Sequence, residues 1–123
     1  MKIRIKGNSI RLRLSKTEIA AFGHTGHLEE RTEFGNNAFI YVLQRSNDSD
    51  SLSASFANDT ITISVPAAIT HEWTTTDIVG YDHNMAIGNN KQLFLLIEKD
   101  FKCIDGPAYE DQSDNYEHPT KVC

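Results

Sequence analysis

Cysteine is scarce in this chain: Cys103 and Cys123 are the only two, and both lie near the C-terminal end. Two thiols are too few for a disulfide-dense scaffold, and their use fits a reducing cytoplasm. Long apolar runs are missing as well. Met1-Lys2-Ile3-Arg4-Ile5-Lys6 alternates charge with apolar side chains where a signal peptide carries an unbroken apolar stretch, and no run approaches membrane-spanning length. A cytoplasmic protein without a membrane partner is the expectation. The chain also lacks Gly-x-Ser-x-Gly, a phosphate loop and a dinucleotide fingerprint. No enzyme class is therefore indicated and no cofactor is implied. His24 and His27, in Gly23-His24-Thr25-Gly26-His27, read as a turn with two histidines, and exposed loop histidines are commonly inert as acid–base pairs.

What the chain does have is an internal echo. Asn8-Ser9-Ile10-Arg11-Leu12-Arg13-Leu14-Ser15 is answered by Asp59-Thr60-Ile61-Thr62-Ile63-Ser64-Val65-Pro66. Phe34-Gly35-Asn36-Asn37 leads into Phe39 to Arg45, as Ile87-Gly88-Asn89-Asn90 leads into Leu93 to Lys99. The offset drifts from about 51 to about 54 residues, as a duplicated unit with a short insertion gives. Each unit alone would bury too little surface to be stable, so the two should complete one core. The expected organisation is one domain over 1–123, with a first repeat at 1–45, a polar linker at 46–52, a second repeat at 53–99 and an acidic tail at 100–123.

Within each unit the periodicity predicts strand, strand, short helix, strand, strand. Ile3 and Ile5 alternate with Lys2, Arg4 and Lys6, and Ile10, Leu12 and Leu14 alternate with Ser9, Arg11 and Arg13, across a Gly7-Asn8 turn. Ser15 and Glu18 form a capping box, Ile19 and Phe22 face the core, and Gly23 is expected to end the helix. Residues 27–34 and 39–44 form the next hairpin. In the second unit, strands at 53–57 and 60–65 precede Pro66 at a helix start, with Ile69 and Trp73 on the buried face. The last hairpin joins 78–81 to 93–98. Two interlocking units of this kind predict a mainly β fold, a single pseudo-twofold β-barrel with two short helices.

Gly7-Asn8-Ser9-Ile10-Arg11-Leu12-Arg13-Leu14-Ser15-Lys16-Thr17-Glu18-Ile19 resembles the strand-and-helix signature of AbrB/MazE-type swapped-hairpin domains. Thr60-Ile61-Thr62-Ile63-Ser64-Val65-Pro66-Ala67-Ala68-Ile69 is similar to it around the proline. In that family two short chains interlock into one barrel that binds DNA, as a bacterial transition-state regulator or antitoxin. The resemblance implies a single-chain version of that dimer, a pseudo-dimeric monomer, with DNA as a partner. The chain departs from the pattern in lacking the proline at Ser15-Lys16-Thr17-Glu18-Ile19, and in lacking basic residues in the second unit.

Charge is divided between the halves. Residues 1–45 hold eight basic and four acidic side chains, and the remainder four basic and thirteen acidic. If the isoleucines and leucines of the first hairpin point inward, Lys2, Arg4, Lys6, Arg11 and Arg13 share its outer face. Five cations on one sheet surface suit phosphate contacts, so a non-enzymatic binding domain that meets nucleic acid or an acidic protein is expected. The same pattern serves equally as a solvated strand face that deters aggregation. The matching positions of the second unit, Ser55, Thr62 and Ser64, are neutral. The competing class is a small-molecule or metal-binding protein using the tail and the barrel mouth. Cys103, His118 and Cys123, with His83 as a fourth ligand, are weak zinc candidates, for no paired spacing preorganises them. The tail carboxylates Asp105, Glu110, Asp111, Asp114 and Glu117 lack the spacing of a calcium loop. An acidic tail folding back on the basic hairpin would reconcile the two charge halves.

Overall fold

The computed structural model describes residues 1–102 and 116–117. Cys103, His118, Cys123 and the tail carboxylates Asp105, Glu110, Asp111 and Asp114 lie outside the described residues, as does the side chain of Glu117. The element order is β1 (Lys2–Lys6), β2 (Ser9–Leu14), α1 (Lys16–Thr25), β3 (His27–Glu33), β4 (Ala38–Ser46), β5 (Ser53–Ala57), β6 (Thr60–Pro66), α2 (Ala67–Thr75), β7 (Gly80–Gly88) and β8 (Lys91–Lys99). Two short strands, β9 (Phe101–Lys102) and β10 (Tyr116–Glu117), pair in parallel beyond them. The first eight strands and two helices thus run strand, strand, helix, strand, strand, twice over.

The ladders interlace the halves. One sheet has the order β1-β2-β8-β7 and the other β3-β4-β6-β5. At the centre of each, a strand from one half lies parallel to a strand from the other. In β2 with β8, Ser9 stands opposite Phe94 and Leu14 opposite Lys99. In β4 with β6, Ile40 stands opposite Thr60 and Arg45 opposite Val65. Corresponding backbone bonds recur in both halves. Phe94 N–H donates to the Asn8 carbonyl and Ile40 N–H to the Asp59 carbonyl, both at 3.0 Å. Arg45 N–H donates to Gly26 O at 2.8 Å and Lys99 N–H to Val79 O at 2.9 Å.

The ladders form two separate four-stranded sheets and close no barrel between them. The sheet margins meet through side chains instead. Ala54 N–H reaches the Met85 sulfur at 3.3 Å on one margin, and the Met1 ammonium contacts Glu30 at 2.9 Å on the other. The same ammonium is bound by Glu18, and Tyr41 donates its hydroxyl proton to the Met1 carbonyl at 2.9 Å. Burial pushes the Tyr41 phenol pKa above its ordinary value, and the Glu30 carboxylate adds to the rise.

The inward residues of the central strands make the core: Leu12, Leu14, Leu43, Ile63, Val65, Leu95 and Ile97 are almost completely buried. The two helices cover one end, where the rings of Phe22 and Trp73 meet edge to face with centroids 6.2 Å apart. The Trp73 indole N–H donates to Val79 O at 3.0 Å, so a fully buried polar atom is satisfied.

Several local expectations shift. The Ser15–Glu18 capping box is present, but α1 runs past Gly23 to Thr25 and ends on Gly26 at φ +72°, whose N–H bonds the Phe22 carbonyl. In α2 the buried pair is Thr70 and Trp73, with Ile69 only partly buried. β7 extends from Gly80 to Gly88, much further than 78–81, and turns into β8 through Asn89 and Asn90, both at positive φ. Leu52, inside the polar linker, is 2 % exposed and belongs to the core. Ile5 lies on the inward side of β1 near its open end but remains 53 % exposed.

Candidate functional site

The outer face of the first sheet is set by strand alternation. The antiparallel register of β1 and β2 puts Lys2 beside Arg13 and Arg4 beside Arg11, with Lys6 opposite Ser9. All five cations singled out in the sequence therefore share one surface, as alternation demands. The parallel partner β8 continues this surface with Phe94 opposite Ser9, Leu96 opposite Arg11 and Glu98 opposite Arg13. Arg4, Lys6, Ser9, Ile10, Arg11 and Phe94 line a groove of about 210 Å³ near the open end of the sheet.

Ion pairing divides the five cations. Arg13 Nε lies 2.6 Å from Glu98 Oε1, and Arg11 Nε lies 3.8 Å from the same oxygen. Lys2 Nζ is 3.0 Å from Asp100, a carboxylate that is largely buried. Arg4 and Lys6 have no salt bridge among the described residues. Arg4, Lys6 and the loosely held Arg11 converge on the groove, while Lys2 and Arg13 are neutralised at its margin. Nothing in the first hairpin alone signals this division, because Glu98 and Asp100 come from the other end of the chain. Phe94 was likewise hidden in an apolar run, Leu93-Phe94-Leu95-Leu96-Ile97, which shows which face each residue takes only once the register is known.

The opposite sheet offers no such face. Thr60, Thr62 and Ser64 occupy the β6 positions that correspond to Ser9, Arg11 and Arg13, and its β5 neighbours are Ala57, Ser55 and Ser53. Its outer surface carries instead His27, Glu29, Arg31 and Glu33 along β3. There the His27 Nδ1 meets Gln44 Oε1 at 2.6 Å and Arg31 pairs with Glu33 at 2.6 Å. His24 and His27 do not form an acid–base pair, since His24 belongs to α1 and lines a groove between the helices while His27 is tied to Gln44.

Metal chemistry finds no support in the described part of the chain. Among the described residues no group of three or more His, Cys, Asp or Glu side chains is placed to hold a metal ion. His83 lies in β7 opposite Leu95, and its proposed co-ligands fall outside the described residues. The described part of the tail docks at the helical end of the first sheet: Tyr116 N–H donates to Asp100 O, and its ring stands 5.5 Å from that of Phe101. That is the end of β2 near Leu14, opposite the end that carries Lys6 and the groove.

No helix among the described residues is long and apolar enough to cross a membrane. Neither a curated protein nor a solved structure matches the chain. A family model does match, over residues 1–120, and the chain accordingly belongs to the family described as a family of unknown function, DUF7009.

Proposed function

We propose that the protein is a non-enzymatic, cytoplasmic nucleic-acid-binding domain that works through the outer face of the β1–β2 hairpin. The observation that carries this reading is the convergence of Arg4, Lys6 and Arg11 on one groove beside Phe94, with no ion pair to Arg4 or Lys6 among the described residues. Cations of this kind meet phosphate oxygens, arginine bidentately, and an adjacent aromatic ring offers a base or sugar an apolar surface. The two interlaced sheets are read as the halves of an open barrel whose margins are closed by side chains, in line with a duplicated AbrB-like unit in one chain. On this reading the first unit supplies the cations and the second the adjacent ring of Phe94, so the protein meets its partner as a monomer with one binding face.

The test is charge reversal at Arg4 and Lys6. Arg4→Glu with Lys6→Glu should abolish retention of a labelled oligonucleotide at low salt, with the far-ultraviolet circular dichroism spectrum unchanged. Undiminished binding by that double variant would remove the hairpin from the function. Binding of a polyglutamate peptide with equal affinity would favour an acidic protein as the partner.

A further inference from the structure

We infer that the groove between α1 and α2 is a second binding site, for a phosphate-type oxyanion borne by a small molecule. The groove has a volume of about 330 Å³, at the lower end of small-molecule sites. Its polar lining comes from three elements: His24 on α1, Thr70, His71 and Thr74 on α2, and Arg45 at the end of β4. Among the described residues no carboxylate lines it, in a protein whose net charge is −5. Every ionisable side chain at the groove is therefore a cation or a potential one, which favours an anion as occupant.

Two features mark the site as built. Thr70 is 2 % exposed, and its hydroxyl is buried with no hydrogen-bond partner among the described residues. A hydroxyl removed from water and left unpaired is costly, and a ligand oxygen would satisfy it. The neighbouring threonines differ, because Thr74 donates to the Thr70 carbonyl at 2.8 Å and Thr75 to the His71 carbonyl at 2.7 Å. Their protons are already engaged, so Thr70 is the hydroxyl left to donate.

Arg45 is the second feature. It occupies in β4 the place Lys99 has in β8, each donating its N–H across to the other strand's flanking loop. Lys99 is buried, its ammonium is bonded to Thr76 O at 2.7 Å, and it lies 5.6 Å from the centre of the Tyr116 ring. Burial lowers its pKa, with Asp77 opposing. Arg45 has no such anchor: its guanidinium makes no ion pair among the described residues. Its guanidinium lies against the bare backbone of Gly26. A Cβ at Gly26 would stand 2.9 Å from Arg45 Cζ, and one at Gly23 would stand 3.0 Å from the Thr74 hydroxyl. A guanidinium fork, two imidazoles and a free hydroxyl arriving from three elements suit a tetrahedral anion with several oxygens; a carboxylate would be satisfied by the fork alone.

Titration with inorganic phosphate at constant ionic strength, followed in ¹H–¹⁵N spectra, tests the inference. Saturable shifts should appear at Gly23, Gly26 and Thr70. Arg45→Gln should weaken binding by roughly tenfold or more, as loss of a charge-assisted hydrogen bond does. Thr70→Val, nearly isosteric, should weaken it several-fold while leaving the protein folded. If Arg45→Gln does not fold, Arg45→Lys keeps the charge, loses the fork and should still bind less tightly. In the Arg4→Gln, Lys6→Gln double variant the shifts at Gly23, Gly26 and Thr70 should saturate with the same midpoint, whatever happens to shifts in β1 and β2, which separates this site from the basic hairpin. Non-saturating shifts, equal affinity for acetate, or loss of the Gly23, Gly26 and Thr70 shifts in that double variant would each overturn the assignment.

Discussion

Replacing Glu98 by glutamine removes the carboxylate that Arg13 holds at 2.6 Å and Arg11 approaches at 3.8 Å, while keeping the side chain's size. On the proposed function, Arg4, Lys6 and Arg11 are the cations of this face left to phosphate among the described residues, which makes about three contacts. Counterion release then sets the slope of log affinity against log salt at about −2 for a single strand and about −3 for a duplex. Raising the salt from about 50 to 200 mM should weaken binding roughly 20- to 40-fold. In Glu98→Gln, Arg13 is released as a fourth contact, the slope steepens to about −3 or beyond, and the same salt change costs roughly 50- to 150-fold. Fluorescence anisotropy of a labelled oligonucleotide at four salt concentrations measures both slopes. An unchanged slope in Glu98→Gln refutes the idea that ion pairing selects the working cations. A flat slope in the unmodified protein refutes the interface itself.

Two further predictions concern the helical end. Trp73→Phe removes the indole N–H bonded to Val79 O and part of a fully buried ring, and should cost about 1.5–3 kcal/mol in denaturant unfolding. Desolvation and the hydrogen bond to Glu72 push the Tyr81 pKa up to about 12. The folded state therefore keeps a proton that the unfolded chain releases near the ordinary tyrosine pKa of about 10. The resulting stabilisation is fully present below about pH 10 and is lost as pH rises through about 12. Ultraviolet titration of phenolate, compared between the unmodified protein and Tyr81→Phe, should place this group last to ionise, and Glu72→Gln should bring its midpoint down.

Much of the architecture was legible because it rests on period-two alternation and on local caps. Residues 2–6 and 9–14 alternate cleanly, and the Ser15–Glu18 box fixes the start of α1 to the residue. In sequence Gly23 looks like a stop for that helix, yet what favours glycine there is the close approach of Thr74, a contact from the other half. The length of β7 is hidden in sequence because Asp82 and Asn84 have low strand propensity. Their exposure, against the partial burial of Tyr81, His83 and Met85, shows the alternation that tertiary pairing enforces. The five cations were legible as a face, but which of them remain available was not. That depends on Glu98 and Asp100, brought alongside by parallel pairing across most of the chain. The groove with Arg45 and Thr70 was invisible for the same reason, since its lining is assembled from both halves.

The interlaced ladders also impose an order on assembly during synthesis. β4 and β6 are near neighbours in the chain, so the second sheet can close once β6 has been made. β2 must wait for β8, and until Lys99 has emerged the basic hairpin has no lateral partner and no Glu98 to restrain Arg13. The last long strand among the described residues is thus the one that completes the basic face, and a chain truncated before it would carry its cations on an unpaired edge.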